Sequence, residues 1–244
     1  MRSTATLTVD VEMDAPPCLN TWRGVEEGLP LLLDVLSVIG AKATFFTLGI
    51  VAVKYPRAVS RIVDEGHELG SHGWDHSRLD KLSPREAVEN VKRSLRVLRD
   101  YGEVRSFRAP NFKLPHWLLG FLKEEGVEVD SSIARYKPPF PRGIAVEEGL
   151  VRVPASYPSS VFRLPFLILK PLLLSAGSPV VLDLHPWELA EVRCASRPDL
   201  TAGVGRELAV RVARSLAYLE STGYSLLSLG ELVRAHLERA PALR

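Results

Sequence analysis

Ala5-Thr-Leu-Thr-Val-Asp-Val-Glu12 alternates side chains of two kinds along a β-branched run, and it ends in carboxylates. That pattern reads as a β-strand whose C-terminal tip is polar. A helical spacing of apolar residues follows over Val25–Ile39 and stops at Gly40, a natural C-cap. Lys42–Leu48 reads as a second strand, Ala58–Glu65 as a short helix closed by Gly66, and His67–Ser71 as a third strand. Ser83 and Pro84 open a helix to about Tyr101. Beyond it come strand Ser106–Arg108, helix Pro115–Glu125, and strands Val127–Ser131 and Val151–Pro154. Strand Ser178–His185, helix Gly205–Thr222, strand Ser225–Ser228 and helix Leu229–Leu237 complete the series. Strand and helix alternate almost throughout, which predicts a parallel sheet under helical cover. Seven or eight strands without an obvious linker point to an α/β fold, a single-domain irregular (β/α) barrel over residues 1–244.

Bulk properties narrow the function. Of 244 residues, 46% are hydrophobic and 25% charged, so a large core is expected and a mainly disordered chain is excluded. A net charge of +2 indicates neither a nucleic-acid nor an acidic-membrane partner. Cys18 and Cys194 form no paired zinc motif, and two separate thiols are expected rather than a bridge. The N-terminal run enters a strand directly, without a signal-peptide pattern, and no long apolar stretch predicts a transmembrane helix. Cytoplasmic residence is the resulting expectation. Glutamine is absent and only Asn20, Asn90 and Asn111 carry a side-chain amide, a bias of heat-adapted proteins.

In a (β/α) barrel the active site is built at the C-terminal ends of the strands. The polar residues there are Asp10, Glu12 and Asp14, then His72 and His76, then Arg108, Asp130 and His185. In His72-Gly-Trp-Asp-His76 the histidines stand at i and i+4, close enough on one helical turn to share a divalent metal. Such a pair alone is weak evidence, and its place just beyond a strand strengthens it. Asp10 and Glu12 share one side of their strand, so one can join the histidines while the other pairs with Arg108. His67 reads as a structural strand histidine, and His116 and His236 as solvated ones. Val161–Leu174 is apolar but broken by Arg163, Pro165, Lys170 and Pro171. It reads first as a buried connection with a helix, and second as an apolar lip for lipid or a lipid-linked sugar.

The segments TVDVE (Thr8–Glu12), SHGWDH (Ser71–His76), RAPNF (Arg108–Phe112), VDSSI (Val129–Ile133) and VVLDLHPWEL (Val180–Leu189) occur in the order of the motifs of the polysaccharide deacetylase family. The chain resembles that family from Thr6 to about Leu232, in the variant with DVE and HPWE sequences. The resemblance implies a distorted (β/α)7 barrel and a divalent metal, zinc with nickel or cobalt as alternatives. It implies Asp10 as catalytic base, His72 and His76 as metal ligands, and Arg108 as the arginine that holds the base. The commonest pattern of the family has two adjacent aspartates. Val11 stands at the second place, so the third ligand is assigned to Glu12, with Asp14 as fallback. By the same resemblance His185 is the catalytic acid, Asp130 the residue that orients it, and the backbone of Asn111 an oxyanion donor. Trp187, beside His185, is a candidate platform for a sugar face.

These roles describe hydrolysis of an N-acetyl amide on an amino sugar, in an oligosaccharide, polysaccharide or glycolipid. The same residues would serve a deformylase or a cyclic-ureide amidohydrolase. A carbohydrate-binding barrel without catalysis is a third reading, fed only by Val11. No Gly-rich phosphate loop or clustered cations at strand ends favour a phosphate-binding barrel.

Overall fold

The computed structural model describes residues 3–141 and 143–239. Its strands are β1 (Ser3–Val11), β2 (Ala43–Thr47), β3 (Glu68–Ser71), β4 (Ser106–Phe107), β5 (Val129–Asp130), β6 (Ala145–Glu147), β7 (Leu150–Arg152), β8 (Val180–Leu184) and β9 (Tyr224–Leu226). Its helices are α1 (Leu29–Ile39), α2 (Gly49–Lys54), α3 (Pro56–Asp64), α4 (Pro84–Leu98), α5 (Leu118–Glu124), α6 (Phe166–Ser175), α7 (Pro198–Thr201), α8 (Arg206–Ser221) and α9 (Leu229–Arg239).

The sheet runs β6-β7-β5-β4-β3-β2-β1-β8, with β9 beside the start of β1. Every pairing is parallel except the β6–β7 hairpin. The seven strands from β7 round to β8 curl until the segment after β7 meets β8, where Tyr157 bridges Leu182. The expected distorted barrel is thus what the chain forms. Features not foreseen include helices α2 and α7, strand β6, and a π-helical turn over Gly24–Gly28 ahead of α1.

β1 shows why the barrel has a polar interior. Ala5, Leu7, Val9 and Val11 face outward into the main apolar core beneath the helices. Thr4, Thr6, Thr8, Asp10 and Glu12 occupy the alternate positions and are buried as well. Period-two alternation therefore separates an apolar outer face from a hydrogen-bonding inner one. The bottom of the barrel is plugged by α9, whose Leu229, Leu232 and Val233 pack with Phe46, Val129, Val153 and Val181. Its first amides are anchored by side chains of the sheet: Leu229 N–H donates to Thr44 Oγ1 at 2.7 Å and Gly230 N–H to Glu68 Oε2 at 2.7 Å. These bonds satisfy donors that a helix start leaves unpaired.

Cys18 and Cys194 are joined as a disulfide with Cα atoms 6.2 Å apart, which corrects the expectation of separate thiols. Their separation of 176 residues hides a simple cause. β1 and β8 are parallel neighbours, so the loops after both strands emerge at the same end of the barrel.

The π-helical turn packs directly on the segment after β8, and glycine makes that approach feasible. A Cβ on Gly28 would overlap the Pro186 carbonyl, and one on Gly24 would lie 2.5 Å from Trp187 N. Gly28→Ala is therefore expected to cost about 1–3 kcal/mol through overpacking. Gly120→Ala, in α5 with open space around it, should be neutral or stabilising by up to about 1 kcal/mol. Urea unfolding of the two variants checks the contrast.

Candidate active site

At the C-terminal mouth of the barrel lies a cavity of about 300 Å³. Its walls include Asp10, Glu12, His72, His76, Asn111, Asp183, His185 and Trp187. The tips of β1, β3, β4 and β8 and the loops after them contribute, as barrel geometry requires.

Arg108, just beyond β4, is fully buried and uses all five of its N–H donors. Nη1 donates to Asp10 Oδ1 at 2.8 Å and to Asp183 Oδ1 at 2.7 Å. Nη2 donates to Thr8 Oγ1 and Ser131 Oγ, and Nε to the Ser131 carbonyl. Below, the guanidinium rests 4.5 Å from the centre of the Phe46 ring. Asp10 thus keeps one oxygen bound to Arg108, while Oδ2 stands 3.8 Å from His72 Nε2.

The two histidines come together as expected, but not on a helical turn. Residues 72–78 form an irregular loop, with Gly73 and His76 in left-handed backbone conformations. Asn90 of α4 holds that loop through Trp74 N–H at 2.8 Å and Asp75 at 3.0 Å. His72 Nδ1 lies 2.8 Å from the Arg108 carbonyl, which accepts only if that nitrogen carries the proton. Nε2 is buried and makes no hydrogen bond of good geometry. It faces Glu12 Oε2 at 3.3 Å, and His76 Nε2 reaches the same oxygen at 2.7 Å. Glu12, His72 and His76 each offer one ligand atom within 4.8 Å of the others, a donor set suited to a divalent cation. Burial alone would raise the Glu12 carboxyl, but His185, His72 and His76 hold it well below the usual carboxylate range.

Asp14, the fallback ligand, is committed elsewhere. Its carboxylate accepts from Thr21 Oγ1 at 2.6 Å, Arg23 N–H at 2.8 Å and Gly24 N–H at 2.8 Å, and so shapes the loop after β1.

His185 points into the cavity from the end of β8, with Nε2 3.7 Å from Glu12 Oε1. Asp130, assigned to orient it by the family pattern, does not reach it. That carboxylate binds Arg152 Nε at 2.9 Å and the Ser132 hydroxyl instead. The partner of His185 Nδ1 is Glu188 at 3.1 Å, itself bonded to Arg163 at 2.7 Å. Burial opposes a charged imidazole, yet Glu12, Glu188 and Asp183 outweigh it and lift His185 to about 10. Asp183 was the other omission. It lies two residues before His185 on the same side of β8, and that spacing was the signal available in VVLDLH. Burial and the nearby Asp10 charge push its carboxyl up to about 6.

Asn111 lines the cavity with φ of 59°, a left-handed conformation that asparagine tolerates better than most residues. Trp187 is only 6% exposed and stacks on His185, with ring centres 5.5 Å apart. It supports the histidine ring from the side and offers little free face to a sugar.

The (β/α)7 barrel thus carries a carboxylate–histidine cluster, an arginine-held aspartate and an oriented histidine at its mouth. Residues 2–129 match the model of the polysaccharide deacetylase family, and the chain belongs to that family. Among curated relatives, a peptidoglycan N-acetylglucosamine deacetylase of Listeria monocytogenes is 39% identical over 71 residues, covering 29% of this chain and 15% of that protein. Chitin deacetylase 1 of Saccharomyces cerevisiae is 29% identical over 124 residues, covering 50% and 41%. The chain therefore spans less than half the length of either. A crystal structure from Mycobacterium smegmatis, described as a candidate polysaccharide deacetylase, superposes with a TM-score of 0.75 at 20% identity, over 100% of this chain and 93% of the other. That likeness carries the fold.

Arg108→Met would strand Asp10 and Asp183 as buried, unpaired carboxylates, at an expected cost of about 3–5 kcal/mol. Adding Asp183→Asn to it should recover part of the loss. A double-mutant cycle measured by chemical denaturation reads the coupling directly.

Proposed function

We propose that the chain hydrolyses the N-acetyl amide of an amino sugar, with a divalent metal at Glu12, His72 and His76. The observation that carries this reading is the buried, unpartnered His72 Nε2 aimed at Glu12 and His76, with one ligand atom of each residue within 4.8 Å of the others. When bound, zinc, nickel or cobalt supplies an acidified water and polarises the amide carbonyl.

The protein residues then divide the proton traffic. Arg108 occupies Oδ1 of Asp10, leaving Oδ2 to take the proton of the attacking water. The backbone N–H of Asn111, in the cavity wall, is the donor for the oxyanion that forms as the water oxygen bonds to the carbonyl carbon. Glu188 holds His185 Nδ1, so Nε2 delivers a proton to the sugar nitrogen as the C–N bond breaks. Acetate and a free amine leave. Glu188 replaces Asp130 in this scheme, and Asp130 serves the barrel wall with Arg152.

Metal content and acetate release from N-acetylglucosamine oligomers test the reading together. About one metal per chain is expected, lost in Glu12→Gln and His76→Ala but retained in Asp14→Asn. Asp10→Asn and His185→Ala should keep the metal and lower acetate release by roughly two or more orders of magnitude. Metal binding with activity only on formamides or cyclic ureides would move the substrate, and sugar binding without metal would leave a non-catalytic barrel.

A further inference from the structure

The outer face of α6 is the most apolar exposed surface among the described residues. Leu167 is 85% and Ile168 55% exposed, and Pro171 and Leu174 continue the same face one and two turns on. A covering helix of a barrel ordinarily turns polar residues outward, and α6 carries only Lys170 and Ser175 as polar side chains.

The charge near this face is predominantly positive. Residues 149–182 contain no aspartate or glutamate. Lys170 Nζ lies 5.0 Å and Arg214 Cζ 4.4 Å from the centre of the Phe166 ring, at the edge of the apolar face. Neither cation has an ion-pair partner among the described residues, whereas Arg163 is taken by Glu188 and Arg211 by Glu207. The face is also joined to the active site. Pro158 and Ser159 stand in the cavity wall, and the single 3-10 turn Ser159–Arg163 leads from them into α6. On the other side Lys137 lines the cavity, and Arg135 in the same loop donates to the Ala176 carbonyl at the end of α6.

We infer that the exposed face of α6, with Lys170 and Arg214, seats the barrel on an anionic lipid surface, so that the cavity meets amino sugars carried there. Apolar side chains that enter the headgroup region, flanked by cations that meet phosphates, are the two components of interfacial binding. A second copy of the chain fits less well. A two-fold contact sets the patch against itself, and the unpaired cations would then face each other. The inference rests on the proposed amidase reading only for what the surface delivers; attachment itself needs neither metal nor turnover.

The test is flotation of the purified chain with vesicles of phosphatidylcholine alone and of phosphatidylcholine with phosphatidylglycerol. Wild type should float with the anionic vesicles, lose that binding in high salt, and ignore the neutral ones. Leu167→Ser/Ile168→Ser and Lys170→Gln/Arg214→Gln should each bind roughly tenfold or more weakly. The first pair, being surface-exposed and remote from the cluster of ligands, should leave acetate release from soluble oligomers and the unfolding temperature unchanged. Absence of wild-type binding to anionic vesicles would overturn the inference, as would equal binding by the Leu167→Ser/Ile168→Ser variant. A wild-type dimer in analytical ultracentrifugation that this pair dissociates would assign the face to a second copy instead. Vesicle binding without hydrolysis would leave the surface standing and count against the amidase reading alone.

Discussion

A single buried guanidinium organises the mouth of this barrel. Arg108 satisfies every one of its donors with Asp10, Asp183, Thr8 and Ser131, residues from β1, β8 and the tip of β5. Its own carbonyl fixes the ring of His72. One residue thus holds the carboxylate proposed as base and orients the ring of a histidine proposed as metal ligand. A buried cation with these partners is costly to desolvate and is kept only where each hydrogen bond is made. The threonines on the inner face of β1 are part of the same requirement: Thr8 Oγ1 accepts from Arg108 and its hydroxyl donates to the Leu182 carbonyl, tying β1 to β8 beneath the site.

The strands and most helices were legible because their signals are local. β1 alternates, α4 opens on a Ser83–Glu86 capping box, and Gly40 closes α1 in a left-handed conformation. Their ends gave the polar tips, and with them Asp10, Glu12, His72, His76, Arg108 and His185. What could not be read is what depends on neighbours in space. The HGWDH loop mimics a helical i, i+4 pair, yet Asn90 and the left-handed Gly73 and His76 bring the rings together differently. Asp130 sits at a strand tip like the others, but β7 places Arg152 beside it and removes it from His185. The disulfide follows only once β1 and β8 are known to be neighbours.

Glu188 shows how a short motif can hold two jobs. In His185-Pro-Trp-Glu188 the carboxylate returns to the His185 N–H at 3.2 Å, as in a capping box, and also binds the ring Nδ1. Arg163 secures the carboxylate from the far side. The proline starts the turn, and the tryptophan packs on the imidazole. Each residue of the tetrapeptide therefore constrains the orientation of His185, which explains why a histidine at the end of a strand stays aimed at the cavity.

The same arginine connects the site to its surroundings through barrel closure. No regular ladder joins β7 to β8. The gap is spanned by residues 155–157, with Ser156 N–H donating to the Val181 carbonyl and Val181 N–H to Ser156 Oγ. A side chain thus does the work of a missing strand bond and satisfies the β8 edge. Because this segment runs up beside β8 from the lower barrel, the chain that follows must pass the cavity at Pro158 and Ser159 before it continues as α6. Arg163 falls at the turn between the two, holding Glu188 with one nitrogen and reaching the Leu200 carbonyl with the same group. The closure that completes the barrel therefore also sets the cavity wall, the support of His185 and the start of the apolar helix, and a displacement of that turn would be felt at all three.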